Sequence, residues 1–257
     1  MIPGPQDPAP RTMIAALTFD LDDTLWDTPP VIRRAEEVTH AWLARQWPAV
    51  AQRFDVAGLA ALRRQVAEED PARAHDFTLM RFRTYRRAAE AAGYPPEAVA
   101  RGAFAVFYRE RNRVELFPDV LPVLEPLARR LPLAAVSNGN ADIHAIGLGH
   151  VFRHALSARE VGRPKPDPLI WTEACRRLGV APRAAVHVGD HPEHDVAGAR
   201  AAGLRTVWLN RSGGRWPGAE RPDAEIPDLT ALPEVLARWG LARPAAGPEP
   251  SPFPSRG

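Results

Sequence analysis

The sequence predicts an α/β protein whose doubly wound, parallel-sheet core carries an inserted, all-helical region. Short apolar runs end abruptly at polar or glycine residues, which is typical of buried parallel strands. Helical patterns separate these runs, and such alternation favours a sheet covered by helices on both faces. One long stretch, residues 29–117, has helical patterns and no convincing strand, which indicates a cap domain inserted after the first strand.

Four apolar runs are predicted to form the strands of the core. The first run ends directly at Asp20, so a carboxylate is expected at the carboxyl end of that strand. Each of the other runs is equally short and is bounded by polar or glycine residues. The four predicted strands are Met13–Phe19, Leu131–Val136, Ala184–Val188 and Thr206–Leu209.

Helix signals divide the remaining residues between the core and the cap. Asp167 is expected to cap a helix that begins at Pro168 and ends at Leu178, with Gly179 as its stop. The other predicted core helices are Pro118–Arg130 and Asp195–Ala202, and those of the cap are residues 31–45, 59–69, 72–92 and 96–113. The predicted organisation is a flexible lead-in at 1–12, the core at 13–28 and 118–241, the cap at 29–117, and a Pro-rich disordered tail at 242–257.

Composition excludes several classes of function. The 33 Lys and Arg residues nearly balance the 31 Asp and Glu residues, and no basic run is long enough for a nucleic-acid-binding arm. No stretch approaches the roughly 18 consecutive apolar residues of a membrane span. The single cysteine, Cys175, cannot form an internal disulfide, and the N-terminus lacks the apolar segment of a signal peptide. We expect a cytoplasmic protein, a monomer or homodimer, that acts on a small molecule.

Two carboxylates follow the first predicted strand at a spacing that suits catalysis. Asp20 and Asp22 are two residues apart, so an extended backbone points both side chains to the same side. Ligands of open α/β sheets bind outside the carboxyl ends of the strands. Paired carboxylates in such a pocket can divide the roles of nucleophile and acid/base catalyst.

Polar residues at the ends of later strands have the chemistry to bind phosphate and a metal. Ser137 and Asn138 offer a hydroxyl, an amide and backbone N–H groups, and Lys165, set between prolines, offers a point charge for phosphate. Asp190 and Asp195 follow the Ala184–Val188 run. Carboxylates converging with those of the first strand would make the oxygen-rich site that Mg²⁺ prefers.

These segments, in this order, resemble the four motifs of the haloacid dehalogenase superfamily, over nearly the whole predicted folded region. The resemblance implies that Asp20 attacks phosphorus to form an aspartyl-phosphate, and that Asp22 protonates the leaving oxygen and then activates water. It implies that Ser137, Asn138 and Lys165 bind the phosphoryl group. It further implies Mg²⁺ held by Asp20, the backbone carbonyl of Asp22 and Asp190, with Thr24 and Asp195 in supporting roles: Thr24 holds the loop, and Asp195 orients Lys165 or a metal-bound water.

A closer resemblance concerns the substrate. The segments FDLDDTLWD, RFRTYRRA, VSNGNADIHAIGLGHVF and HVGDHPEHDVAGA are similar to a bacterial subgroup that dephosphorylates flavin mononucleotide and 5-amino-6-(5-phospho-D-ribitylamino)uracil. The resemblance therefore implies a phosphatase of small phosphorylated metabolites, with a possible place in riboflavin biosynthesis. Two alternatives remain: a haloacid dehalogenase, which in this superfamily lacks an acid at the position of Asp22, and a catalytically silent binding protein of the same fold.

Several side chains near the motifs have competing interpretations. His187, His191 and His194 crowd the last motif, but their spacing matches no strong zinc signature, so packing or loop hydrogen bonds are expected. Four arginines, at 81, 83, 86 and 87, crowd one cap helix, and a solvated helix face is the favoured interpretation. The alternative is that one of them, with Arg83 as the candidate, faces the cleft and meets an anionic substrate. Trp26 is expected to pack in the core beside the catalytic loop.

Overall fold

The computed structural model describes residues 13–218 and 221–241. The predicted lead-in and tail, residues 1–12 and 242–257, lie outside the described residues. The sheet has six parallel strands in the order β3-β2-β1-β4-β5-β6. These strands are β1 Ala16–Phe19, β2 Leu133–Ser137, β3 His154–Ser157, β4 Ala185–Gly189, β5 Arg205–Leu209 and β6 Ala224–Ile226. The predicted parallel sheet is confirmed.

The sequence prediction missed the two edge strands, β3 and β6. Their side chains are only partly buried, whereas every residue of β1, β2 and β4 is buried. An edge strand is flanked by one neighbour only, so it needs no continuous apolar run. The four strands that were predicted begin or end within three residues of their predicted bounds.

The sheet is covered on both faces, as the doubly wound class requires. In β2, Leu133 and Ala135 belong to one hydrophobic cluster, while Ala134 and Val136 belong to another on the opposite face. Side chains of a strand alternate between faces, so both faces pack against helices. The core helices are α6 Val120–Ala128, α7 Ile143–Ile146, α8 Ala158–Val161, α9 Leu169–Leu178, α10 Gly198–Ala201 and α11 Leu232–Arg238.

Five helices form the cap between β1 and β2, with a hydrophobic cluster of their own. They are α1 Thr28–Gln46, α2 Pro48–Arg53, α3 Val56–Glu69, α4 Phe77–Ala91 and α5 Pro96–Arg111. Helix α2 was not predicted, and α4 begins five residues later than expected. A 3₁₀ turn occupies Pro71–Arg73, and the Asp76 side chain caps α4 by accepting from Leu79 N at 2.9 Å.

Other predicted helix bounds differ in smaller ways. Helix α9 begins at Leu169, whose N–H is accepted by Asp167 at 3.0 Å, and it ends at Gly179 with a left-handed backbone, as predicted. The helix predicted over Asp195–Ala202 starts earlier, as a π-helical turn at Pro192–Ala197 followed by α10. Within residues 13–218 and 221–241, no helix is long and apolar enough to cross a membrane.

Candidate active site

The carboxyl ends of three adjacent strands bring the predicted motifs together. Asp20 follows β1, Ser137 ends β2, and Asp190 follows β4. Because β2, β1 and β4 are neighbours in the sheet, these residues meet at one edge and line a single cavity of about 490 Å³. The cavity also contains Asp22, Asn138, Lys165 and Asp195, so nearly every predicted site residue borders it, Thr24 excepted.

Lys165 lies at the centre of the buried part of the site and is only 4% exposed. Its ammonium group donates to Asp20 Oδ1, to Asp195 Oδ1 at 2.6 Å and to the carbonyl of Val136 at 3.1 Å. These contacts use all three ammonium donors. Burial alone would lower the pKa of Lys165, but Asp195 and Asp20 outweigh it and raise that pKa, so the group is cationic.

The two carboxylates beside Lys165 differ in ionisation. Burial dominates at Asp20 and raises its pKa well above the ordinary value, although Lys165 opposes that change. At Asp195 burial would also raise the pKa, but Lys165 and His187 outweigh it and lower the value. Lys165 and His187 therefore offset the burial of Asp195, whereas the burial of Asp20 is offset less fully by positive charge.

A hydrogen-bonded chain fixes Asp195 in place. Its Oδ1 lies 3.3 Å from His187 Nε2, and Thr18 Oγ1 lies 2.9 Å from His187 Nδ1. Its Oδ2 accepts the His191 N–H at 2.9 Å. A side chain at Gly189 would not fit, since its Cβ would lie 2.4 Å from Asp195 Cγ. Both oxygens of Asp195 are thus already used by protein donors.

The acidic residues fit a hard divalent cation. Oxygens of Asp20, Asp190 and Asp195 lie within 4.8 Å of one another. Because both oxygens of Asp195 accept hydrogen bonds, Asp20 and Asp190 are the better candidate ligands, and these are the two side chains that the family resemblance implies. Thr24 Oγ1 donates to Asp190 Oδ1 at 2.9 Å, and burial raises the pKa of Asp190 to about 6. Carboxylate oxygens of this kind suit Mg²⁺.

Asp22 is held by three side chains for which the sequence predicted no such role. Arg111 Nη2 lies 2.7 Å from both carboxylate oxygens of Asp22. Trp26 Nε1 and Thr28 Oγ1 donate to Asp22 Oδ1 at 3.1 and 3.0 Å. Arg111 is the last residue of α5 and is 2% exposed, so the cap supplies a buried counter-ion to the predicted acid/base residue.

The phosphate-binding residues predicted after β2 have defined partners. Ser137 Oγ accepts the N–H of Gly139 at 2.8 Å. Asn138 uses its side-chain amide on the backbone of Lys165, accepting from the N–H at 2.7 Å and donating to the carbonyl at 3.1 Å. The Asn138 side chain therefore positions the lysine loop, and its predicted contact with phosphate would have to come from its backbone.

The histidines do not form a metal cluster. Among the described residues, the only group of three or more potential metal ligands is the aspartate set. His187 is buried beneath Asp195, and His191 and His194 stack with ring centroids 4.0 Å apart. The expectation of packing and loop hydrogen bonds is met.

The cap contributes cationic and apolar side chains to the same cavity. Arg81 borders the cavity, as do Arg63 and Arg111. Arg83, the candidate from the sequence, instead pairs with Asp70 at 2.7 Å and is not among the residues that line the cavity, so that choice was wrong. Helical periodicity alone could not separate Arg81 from Arg83, because both arginines lie in one basic run of α4.

The sequence of residues 14–203 matches the family described as haloacid dehalogenase-like hydrolase, so the chain belongs to that family. The predicted class of enzyme, a hydrolase, is confirmed. The chain is 36% identical over 234 residues to the 5-amino-6-(5-phospho-D-ribitylamino)uracil phosphatase of Escherichia coli, covering 88% of this chain and 98% of that protein. It is 37% identical over 213 residues to the phosphoserine phosphatase of Thermus thermophilus, covering 80% of this chain and 79% of that protein.

A solved structure with high similarity carries a different description. The 2-haloacid dehalogenase from Pseudomonas syringae pv. Tomato is 46% identical to this chain, with a TM-score of 0.85. The alignment covers 89% of this chain and all of that one. The similarities therefore agree on the fold and on hydrolase chemistry, and they divide between phosphate esters and haloacids.

Proposed function

We propose that this protein is a Mg²⁺-dependent phosphomonoester hydrolase that acts on small phosphorylated metabolites through an aspartyl-phosphate on Asp20. The observation that carries the proposal is Asp22. This second carboxylate borders the same cavity as Asp20 and supplies the acid that an alkoxide leaving group needs.

The first half of the reaction transfers the phosphoryl group to Asp20. A carboxylate oxygen of Asp20 attacks phosphorus, and the bond between phosphorus and the ester oxygen breaks. Asp22 gives its proton to that oxygen, so the product leaves as an alcohol. The positive charge of Lys165 and the backbone N–H groups after β2 stabilise the equatorial phosphate oxygens, which carry the negative charge of the transition state.

The second half returns the enzyme to its starting state. Asp22, now ionised, takes a proton from a water molecule that attacks phosphorus and releases inorganic phosphate from Asp20. Arg111, Trp26 and Thr28 hold the Asp22 carboxylate in one orientation for both proton transfers.

Mg²⁺ would be held by Asp20, the backbone carbonyl of Asp22 and Asp190. When bound, it supplies positive charge that offsets the phosphate and the clustered carboxylates. The raised pKa values of Asp20 and Asp190 support this assignment, because both carboxyl groups are buried with less cationic compensation than Asp195 has.

A haloacid dehalogenase is the second candidate, and one observation favours it. That observation is the 46% identity to a solved structure described as a 2-haloacid dehalogenase. Such a reaction displaces halide from carbon and needs no proton donor for the leaving group. Asp22 would then have no catalytic task, although the structure surrounds it with three donors.

The finer proposal concerns the substrate. The similarity to the ribitylaminouracil phosphatase extends over 98% of that protein and 88% of this chain. Flavin mononucleotide and 5-amino-6-(5-phospho-D-ribitylamino)uracil are therefore the first named esters to test.

The decisive experiment measures phosphate release from a panel of phosphate esters, with Mg²⁺ or with EDTA, beside halide release from 2-haloacids. We expect Mg²⁺-dependent phosphate release and no halide release. Halide release without Mg²⁺ would establish the dehalogenase instead. Absence of both activities, with Mg²⁺ still bound, would favour the silent binding protein.

A further inference from the structure

Two arginines on the cap side of the cavity share a single carboxylate oxygen. Arg63 Nη1 of α3 lies 3.0 Å from Glu36 Oε1 of α1, and Arg81 Nη1 of α4 lies 3.2 Å from the same atom. Both arginines border the active-site cavity. The three groups together carry two positive charges and one negative charge, which leaves a surplus of one positive charge.

Burial strengthens the effect of this surplus positive charge on a ligand. Arg81 is 8% exposed, and its guanidinium group lies over the Phe107 ring, 3.5 Å from the ring centroid. Burial and the neighbouring Arg81 lower the pKa of Arg63, although Glu36 opposes both. A charge inside a cavity interacts more strongly than one in water, so the pair gains from any further negative charge.

Apolar side chains line the same cavity as the two arginines. They are Ile32, Phe77 and Phe107, of which Phe107 lies beneath the Arg81 guanidinium group and Phe77 is 50% exposed. At the core end of the same cavity, Lys165 and the strand-end residues would receive the scissile phosphate. A substrate with its phosphate at the core end would have its leaving group in the rest of the cavity, which these apolar side chains and the two arginines line.

We propose that Arg63 and Arg81 form a second anion-binding subsite, which takes a carboxylate or a second phosphate on the leaving group of the substrate. The proposal rests on the phosphatase activity proposed above, but not on either riboflavin-related ester. Two guanidinium groups offer planar sets of N–H donors that match the oxygens of carboxylate and phosphate. Flavin mononucleotide and the ribitylaminouracil phosphate release alcohols that carry no anionic group, so they are the reference substrates without a second anion.

Matched esters isolate the contribution of the second anion. 3-Phosphoglycerate and glycerol 3-phosphate differ at a carboxylate, as do phosphoserine and phosphoethanolamine. Fructose 1,6-bisphosphate and fructose 6-phosphate differ at a phosphate. The first two pairs therefore test a carboxylate as the second anion, and this third pair tests a phosphate. We expect kcat/KM to be roughly 10- to 100-fold higher for the anionic member, the equivalent of one charge-assisted hydrogen bond.

Three variants test whether the arginines cause that preference. Arg63→Gln and Arg81→Gln should reduce kcat/KM for the ester with the second anionic group and leave that for its partner without this group within about twofold. Glu36→Gln should increase the preference, because it removes the only compensating charge of the cluster; a misfolded cap would not produce such a gain. Arg83→Gln is the matched control, since Arg83 lies on the same helix but pairs with Asp70.

The outcomes separate this inference from the phosphatase proposal. Equal kcat/KM within each pair, or equal losses on both members in Arg81→Gln, would overturn the subsite while leaving the phosphatase intact. If no ester is hydrolysed, calorimetric titration with 3-phosphoglycerate and glycerol 3-phosphate decides: tighter binding of the former that disappears in Arg81→Gln supports the subsite, and equal binding refutes it.

Discussion

The two ends of the active-site cavity compensate their charges in different ways. At the core end, the ammonium of Lys165 has three acceptors, and both oxygens of Asp195 have protein donors. At the cap end, Arg63 and Arg81 share one oxygen of Glu36. The core end is therefore organised before a ligand arrives, whereas the cap end gains its remaining partners from the ligand.

This difference separates chemistry from selection. Preorganised charges stabilise a transition state without having to move, which suits the reacting phosphoryl group. Positive charges with too few acidic partners, such as those of Arg63 and Arg81, bind anionic leaving groups more tightly than others, which suits specificity. Substitutions at the core end should therefore reduce turnover of every substrate, and those at the cap end should change only the ranking of substrates.

The largest expected effect follows from replacing the nucleophile. Asp20→Asn keeps the size of the side chain but removes the attacking carboxylate, so phosphate release should fall by about 10,000-fold or more for every ester. The exposed carboxylate Asp27, seven residues along, gives the control variant Asp27→Asn. Near-normal release by Asp20→Asn would remove the proposed mechanism and with it the contrast between the two ends.

Lys165 allows a sharper test of the core end, because it is the only lysine in the sequence. Of the 33 Lys and Arg residues, the other 32 are arginine. Lys165→Arg keeps the charge, but a planar guanidinium cannot replace a compact ammonium between Asp20, Asp195 and the Val136 carbonyl. We expect kcat to fall by about 100-fold or more and the free energy of unfolding to decrease by about 1–3 kcal/mol.

Steady-state kinetics and urea titration of the Lys165→Arg variant measure the two effects. Arg205→Lys, the reverse exchange on β5 outside the cavity, is the control. A fully active Lys165→Arg enzyme would show that the core end needs only a positive charge and no particular geometry.

Arg111 belongs to a cap helix but contacts Asp22, the proposed acid/base residue of the core end. Its substitution therefore tests whether Arg111 acts with the core end or with the cap end of the cavity. Arg111→Lys keeps the charge and loses the fixed contact with both Asp22 oxygens. We expect kcat to fall by roughly 10-fold for charged and uncharged esters alike, with an altered pH–rate profile. Arg109→Lys, on the exposed side of the same helix, is the control. A change in substrate ranking without a change in kcat would assign Arg111 to the specificity end.

The same contrast explains what the sequence could predict. The core residues Asp20, Ser137 and Asp190 follow directly from strand ends, because each strand is a short apolar run and adjacent parallel strands end at one edge. The cap residues Arg63, Arg81 and Arg111 come from three helices, and their convergence depends on how those helices pack. The choice of Arg83 was wrong for that reason, because the sequence predicts the helix that contains Arg83 but not which face of that helix borders the cavity.

The smallest expected effect concerns the metal-free core end and its dependence on pH. Burial raises the pKa of Asp190 to about 6, against 3.8 without the fold, and raises that of Asp20 in the same direction. The folded protein then binds more protons than the unfolded chain between about pH 4 and 6, so unfolding free energy should fall as the pH rises through that window. Asp195 has the opposite sign, but its lowered pKa places its effect below that window.

As the pH rises from about 4 to 6, melting temperatures in EDTA should therefore decrease by several degrees, on the order expected for the pKa change of about two units at Asp190. Added Mg²⁺ should raise the melting temperature more at pH 7.5 than at pH 5, because protons compete for Asp20 and Asp190 at the lower pH. The variant Asp190→Asn supplies the comparison, since its Mg²⁺-dependent shift should be small at both pH values. A Mg²⁺ shift that is equal at pH 5 and 7.5 in the unmodified protein would mean that these carboxylates are not the metal ligands, and that the charge deficit at the core end is met in another way.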